Sequence, residues 1–135
     1  MKNVVKFILT FAVILFTGCY DRSVIDSKEF GFSLPAVENL KYAKQGDVVT
    51  LTWQIPANIP DYFKRPVDAS IQIVEDDIYR NIIIVSNEDT STDITIDTSK
   101  KYRFVVKLLG YLTDEAIEDG KTDRVYSEAK VIEIQ

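Results

Sequence analysis

Histidine is absent from this 135-residue sequence, and cysteine occurs once. A lone cysteine has no partner for an intramolecular disulfide. Without imidazole or paired thiolates, zinc, copper and haem lack their ordinary donors, and a triad that uses histidine as general base is impossible. Glycine is also scarce, at five residues, and no glycine-rich phosphate loop, nucleophile elbow or EF-hand spacing is formed. Positive charge is in short supply, with 16 Lys and Arg against 21 Asp and Glu, a formal charge of −5. Phosphate backbones demand clustered cations, so a nucleic-acid partner is not expected, and neither is electrostatic docking on an anionic bilayer. No catalytic residue, no metal site and no cofactor is expected from these absences.

What is present is unevenly spread. Met1–Lys6 carries two lysines and no acid, Phe7–Phe16 (FILTFAVILF) is apolar apart from Thr10, and the small residues Thr17 and Gly18 follow. This is the order of a secretory signal: charged region, short apolar region, small-residue cleavage site. Ten residues rise only ~15 Å as a helix, about half the hydrocarbon thickness of a bilayer, so a membrane span is not expected. Residues 1–18 are therefore assigned as a signal peptide. Its loss removes Lys2 and Lys6 and no acid, which takes the formal charge from −5 to −7.

The junction Phe16-Thr17-Gly18-Cys19 resembles the bacterial lipobox, with Phe16 where leucine is usual. The resemblance implies a lipoprotein whose Cys19 carries fatty-acyl (palmitate-class) chains. More than one chain is what stable anchoring needs, at ~0.8 kcal/mol per buried methylene. Residues 19–33 then read as a lipidated tether of mixed charge with no sustained period, although Phe30, Phe32 and Leu34 alternate. The expected location is the cell envelope, lipid-anchored at the outer membrane, on either its periplasmic or its outer face.

From Leu34 onward the chain reads as short strands. Val49, Leu51 and Trp53 alternate with threonines after a Gly46-Asp47 turn, and Pro56 ends the run. Val37–Ala43 precedes it, with Val37 and Leu40 inward. Ala69–Val74 places Ile71 and Ile73 on one face and Ser70 and Gln72 on the other. Asn81–Val85 is a continuous apolar run, expected to be buried or paired on both faces. Ile94–Ile96, Tyr102–Leu108 and Lys130–Ile134 complete the set, and only Thr113–Asp119 is suited to a helical turn.

Seven short strands in about 100 residues predict an all-β, immunoglobulin-like β-sandwich over residues 34–135. The pattern resembles a fibronectin type III domain. The resemblance rests on Pro35 to Leu40, on Trp53 with Ile55-Pro56, on Lys101-Tyr102-Arg103-Phe104-Val105-Val106, and on Ser127 before the last strand. It implies that Trp53 is a core residue and that Tyr102 is a corner tyrosine whose hydroxyl bonds nearby backbone. The third strand lacks the usual aromatic, and the Gly110–Tyr126 link is long. Lipobox and small acidic sandwich together look like the uncharacterised lipoproteins of Bacteroides-type bacteria.

Loops of a sandwich cluster at its two ends, so aromatics in the second–third and sixth–seventh links can share one end. Tyr62, Phe63, Tyr111 and Tyr126 are therefore the candidate binding surface, against the alternative that each merely packs its own loop. The acid pairs Asp76/Asp77, Glu88/Asp89, Asp114/Glu115 and Glu118/Asp119 read as solvated charge. The expected function is a non-enzymatic protein-interaction or assembly module at the envelope. An accessory glycan-binding lipoprotein is the alternative, and a small hydrolase comes last. An apolar surface patch would favour the first, coplanar exposed aromatics the second, and a cleft with converging carboxylates the third.

Overall fold

The alternation around Trp53 forms a strand, β2 (Val48–Gln54), with Val49, Leu51 and Trp53 buried and Thr52 facing solvent. A computed structural model describes residues 31–117 and 122–135 of the chain. The expected signal peptide, Cys19 and nearly all of the expected tether lie outside the described residues. β1 (Glu38–Gln45) returns to β2 through Gly46, whose φ of 62° is the left-handed conformation that glycine adopts without strain. β5 (Ser91–Thr95) flanks β2 on its other side, which gives an antiparallel sheet ordered β1-β2-β5.

The second sheet has five strands. β3 (Asp68–Glu75) lies between β4 (Ile78–Val85) and β6 (Tyr102–Tyr111). β7 (Arg124–Tyr126) and β8 (Lys130–Ile134) both pair antiparallel with β6, β7 at Leu109–Tyr111 and β8 at Tyr102–Val106. Ser127 explains the break between them. Its buried hydroxyl accepts from Leu108 N–H (2.8 Å) and donates to Glu128 O (2.8 Å), so the backbone of β6 stays bonded where neither strand covers it. The β3–β4 turn is a two-residue one in which Asp76 (φ 48°) and Asp77 (φ 63°) are both left-handed, the pattern of a type I′ hairpin.

The two sheets contribute to one apolar core. Leu51 and Val49 from the first and Ile71, Phe104, Val106 and Leu108 from the second have no more than 1% of their surface exposed. Each such side chain is worth ~1.5–3 kcal/mol when fully buried. All-β architecture and two antiparallel sheets are consistent with the expected sandwich. Phe32–Gln135 forms a compact unit. Among the described residues no helix is long and apolar enough to cross a membrane.

Two expectations are corrected. Eight strands are described where the sequence suggested seven, because β7 is three residues long and carries no readable alternation. Among the described residues β4 is not paired on both sides: it bonds β3 alone and forms the edge of its sheet, with Ile82 and Ile84 49% and 46% exposed. Its apolar run signalled strand, not burial. Ser70 lies on the face opposite Ile71 and Ile73, as the alternation places it, and is buried there at 6%. The Gly110–Tyr126 link is also more ordered than a loop where described. Leu112 bridges Phe63, and Ile117 N–H donates to Thr113 O (3.2 Å) in a single helical turn.

Candidate functional site

The second–third and sixth–seventh links meet through their backbones. Thr113 N–H donates to Tyr62 O (2.9 Å) and Lys64 N–H donates to Tyr111 O (2.7 Å), on either side of the Phe63–Leu112 bridge. Tyr62, Phe63 and Tyr111 are thereby brought to one end. They do not present a shared surface there. Phe63 is buried, and its ring lies so close to Gly110 that a Cβ on that glycine would sit 2.7 Å from Cδ1. Tyr62 is half-buried between Phe32 and Phe63, with ring centroids at 5.0 and 4.9 Å and interplanar angles of 60° and 50°. Its hydroxyl lies 3.4 Å from both Ser33 N and Ser33 O. Tyr111 is half-buried with the Arg124 guanidinium 5.9 Å from its ring centroid. Tyr126 alone of the four is open, at 51%.

Trp53 is 3% exposed, and its Nε1 has no hydrogen-bond partner among the described residues. Tyr102 is buried, accepts from Asp97 N–H (3.0 Å) and donates to Glu75 Oε2 (2.7 Å). Glu75 also receives Lys100 Nζ (2.7 Å) and Arg80 (2.6 Å) on its other oxygen. The Lys100 ammonium first, then the Tyr102 hydroxyl and the Arg80 guanidinium, hold its carboxyl at about 2. These contacts tie the β3–β4 hairpin to the start of β6. All are intramolecular, and of these residues Tyr102 also lines a depression of about 190 Å³ beside Arg103 and Glu133.

The open chemistry lies elsewhere, on the solvent face of the five-stranded sheet. Register places Ile82, Gln72, Val105 and Val131 in one row across β4, β3, β6 and β8. Ile84, Ser70 and Lys107 form the next row, Tyr79, Val74 and Arg103 the row on the other side, and Leu109 faces Tyr126 at the β7 end. Five of the eight large hydrophobics exposed among the described residues belong to this face: Tyr79, Ile82, Ile84, Val131 and Tyr126. Arg103, Lys107 and Arg124 stand among them, with Glu133 opposite Arg103. An apolar belt studded with cations is thus exposed on an acidic chain.

Sequence reasoning missed this face because it sorted each strand into an apolar and a polar side. Val105 and Val131 lie on the side shared with Arg103, Lys107 and Glu133, and the run Ile82-Ile83-Ile84 has apolar residues on both sides. The signal was there: apolar residues on the polar parity of β4, β6 and β8, strands that turn out to share one sheet.

Two depressions border this sheet, one of about 190 Å³ lined by Val74, Asp77, Lys101, Tyr102, Arg103 and Glu133, and one of about 490 Å³ where Lys130 and Val131 meet Val37 and Leu40. Among the described residues no three His, Cys, Asp or Glu side chains gather to hold a metal ion. The arrangement is suited to covering by another surface. No curated protein matches the chain. A family model described as a domain of unknown function, DUF4945, matches residues 19–134, and the chain belongs to that family.

Proposed function

We propose that the chain is an envelope lipoprotein, anchored through acyl chains on Cys19, whose fibronectin type III-like sandwich is a non-enzymatic protein-interaction module. The observation that carries the interaction reading is the apolar solvent face of the five-stranded sheet. Isolated exposed apolar residues are ordinary, but a contiguous group on one face favours a partner. The glycan-binding alternative has less support, because Phe63 is buried and Tyr62 is tilted against its neighbours, and the near-parallel pair Tyr102–Phe104 is buried.

The fibronectin-type assignment is supported by sheet order. A three-stranded β1-β2-β5 sheet faces one ordered β4-β3-β6, with β7 and β8 following one another along β6 as two parts of a final strand. Tyr102 adds support, since its hydroxyl bonds the Asp97 backbone five residues upstream. The anchor is supported by the lipobox-like junction and by the start of the family match at Cys19, where cleavage is expected.

Two measurements test the proposal. Fatty-acid labelling of the full chain should disappear in Cys19→Ser, and labelled protein persisting in that variant would refute the anchor. A photo-activatable residue at Val131 should yield protein adducts in intact envelopes, while one at the exposed Thr52 of the other sheet should not. Equal yields at both sites, or none at Val131, would refute the interaction face.

A further inference from the structure

We infer that β4 pairs antiparallel with β4 of a second copy of this chain, about a twofold axis at Ile83. The argument starts from how sheet edges are protected. An edge strand offers unpaired N–H and C=O groups, and proteins blunt that hazard with bulges, charges, breaks or short strands. Three of the four sheet edges are so protected. β1 shifts register between Glu38 and Lys41, with Asn39 at φ 49°, and carries Lys41 and Lys44. β5 is five residues long and presents Asp93. The β7–β8 edge is interrupted at Ser127 and carries Lys130 and Glu133.

β4 has none of these devices where it matters. Its register shift opposite Ile73/Val74 falls at the hairpin end, and from Asn81 to Val85 the ladder is regular, with no charge and no proline. A second copy fits this edge for a reason of symmetry. Antiparallel pairing about Ile83 sets Ile82 against Ile84 of the second copy, both on the solvent face, and Asn81 against Val85. No charge then meets itself within the run. At the ends of the run Arg80 is held by Glu75 and Glu88 by Arg65 of the same chain, so neither presents an unmatched charge to the second copy. The left-handed residues Asp76, Asp77, Asn87 and Glu88 turn the chain at both ends of β4 and, with the register shift at Arg80, limit the pair to Asn81–Val85. The twofold stands perpendicular to the sheet, so the apolar solvent face runs on from one copy into the next.

The inference does not depend on the proposed function, although it concerns an edge of the same sheet. The test is a cysteine scan of Asn81–Val85, one position at a time, in the full chain in membranes, with mild oxidation. The unsubstituted chain, which has Cys19 alone, sets the background. Antiparallel pairing about Ile83 leaves the residue-83 Cα atoms directly opposed. The residue-82 pair lies two residues apart along the strand, ~8 Å, beyond disulfide reach. A dimer of twice the chain mass is therefore expected from Ile83→Cys, with background yields at 81 and 85. Adding Ile84→Lys to Ile83→Cys should abolish it while circular dichroism stays unchanged. A dimer at every position would indicate parallel stacking and overturn the proposal, as would a maximum at another position. An adduct of a different mass would assign the edge to another protein, and no adduct at 83 in folded protein would leave it unpaired; either result overturns the second copy. Photo-adducts from Val131 report separately on the interaction face.

Discussion

Gly110 lies where β6 passes beneath the Phe63 ring, and the missing side chain is what lets the two segments close. Gly110→Ala would force a Cβ to 2.7 Å of that ring, with Leu34 on another side at 3.2 Å. Overpacking of this kind costs ~1–3 kcal/mol, to be read from urea unfolding, and a neutral result would show that Phe63 is free to move. Trp53 carries a different liability, because its buried Nε1 lacks a partner while its ring fills the core. Trp53→Ala should cost ~3–5 kcal/mol through burial and cavity terms. Trp53→Phe should cost markedly less, since it removes an unsatisfied donor worth ~1–3 kcal/mol along with the volume. Equal costs for the two variants would mean that Nε1 is bonded.

Glu75 supplies the pH dependence at this scale. Its carboxyl is held at about 2, against an ordinary 4.5, by Lys100, Tyr102 and Arg80. A folded-state value below the unfolded one means that ionisation favours folding. That contribution is fully present above about 4.5 and is lost as pH falls toward 2. Glu75→Gln should therefore be less stable than the parent at pH 6, and the gap should narrow through this window. A gap independent of pH would place the effect in packing rather than charge.

Among the elements, the strands with strict alternation were legible in the sequence. Val49, Leu51 and Trp53 in β2, and Tyr102, Phe104, Val106 and Leu108 in β6, face the core as their period demands. β8 spans the residues that its apolar pattern marks. What was not legible depends on neighbours. Whether Asn81–Val85 is central or at an edge is decided by what else reaches β3, and no local pattern records that. Of the four loop aromatics, the Tyr62–Phe63 and Tyr111 segments meet through their backbones. Burial of Phe63 depends on the absent side chain of Gly110, some 47 positions away in sequence, and period alone cannot reveal it. The β7–β8 break has one residue at its centre. Ser127→Ala would strand the buried Leu108 N–H, at ~1–3 kcal/mol. Amide exchange at Leu108 should quicken more than at Phe104, and uniform quickening would show that the hydroxyl does not hold the strand locally.

For the whole molecule, the distribution of surface character matters more than its total. The chain is acidic, yet the solvent face of its larger sheet combines exposed isoleucine, valine and tyrosine with Arg103, Lys107 and Arg124. Such a face contributes little to the fold as it stands, because its side chains remain about half in water. In the proposed function this face is covered by a partner, and the proposed acyl anchor at Cys19 would hold it near envelope partners at raised effective concentration. The most direct measurement is amide hydrogen exchange on the full chain in native envelopes and again after purification in detergent. Slower exchange in the envelope, confined to β4 and the β7–β8 side of the larger sheet, is the expected result. Protection that instead falls on β1, β2 and β5, or no difference between the two preparations, would contradict the assignment of this face to a partner.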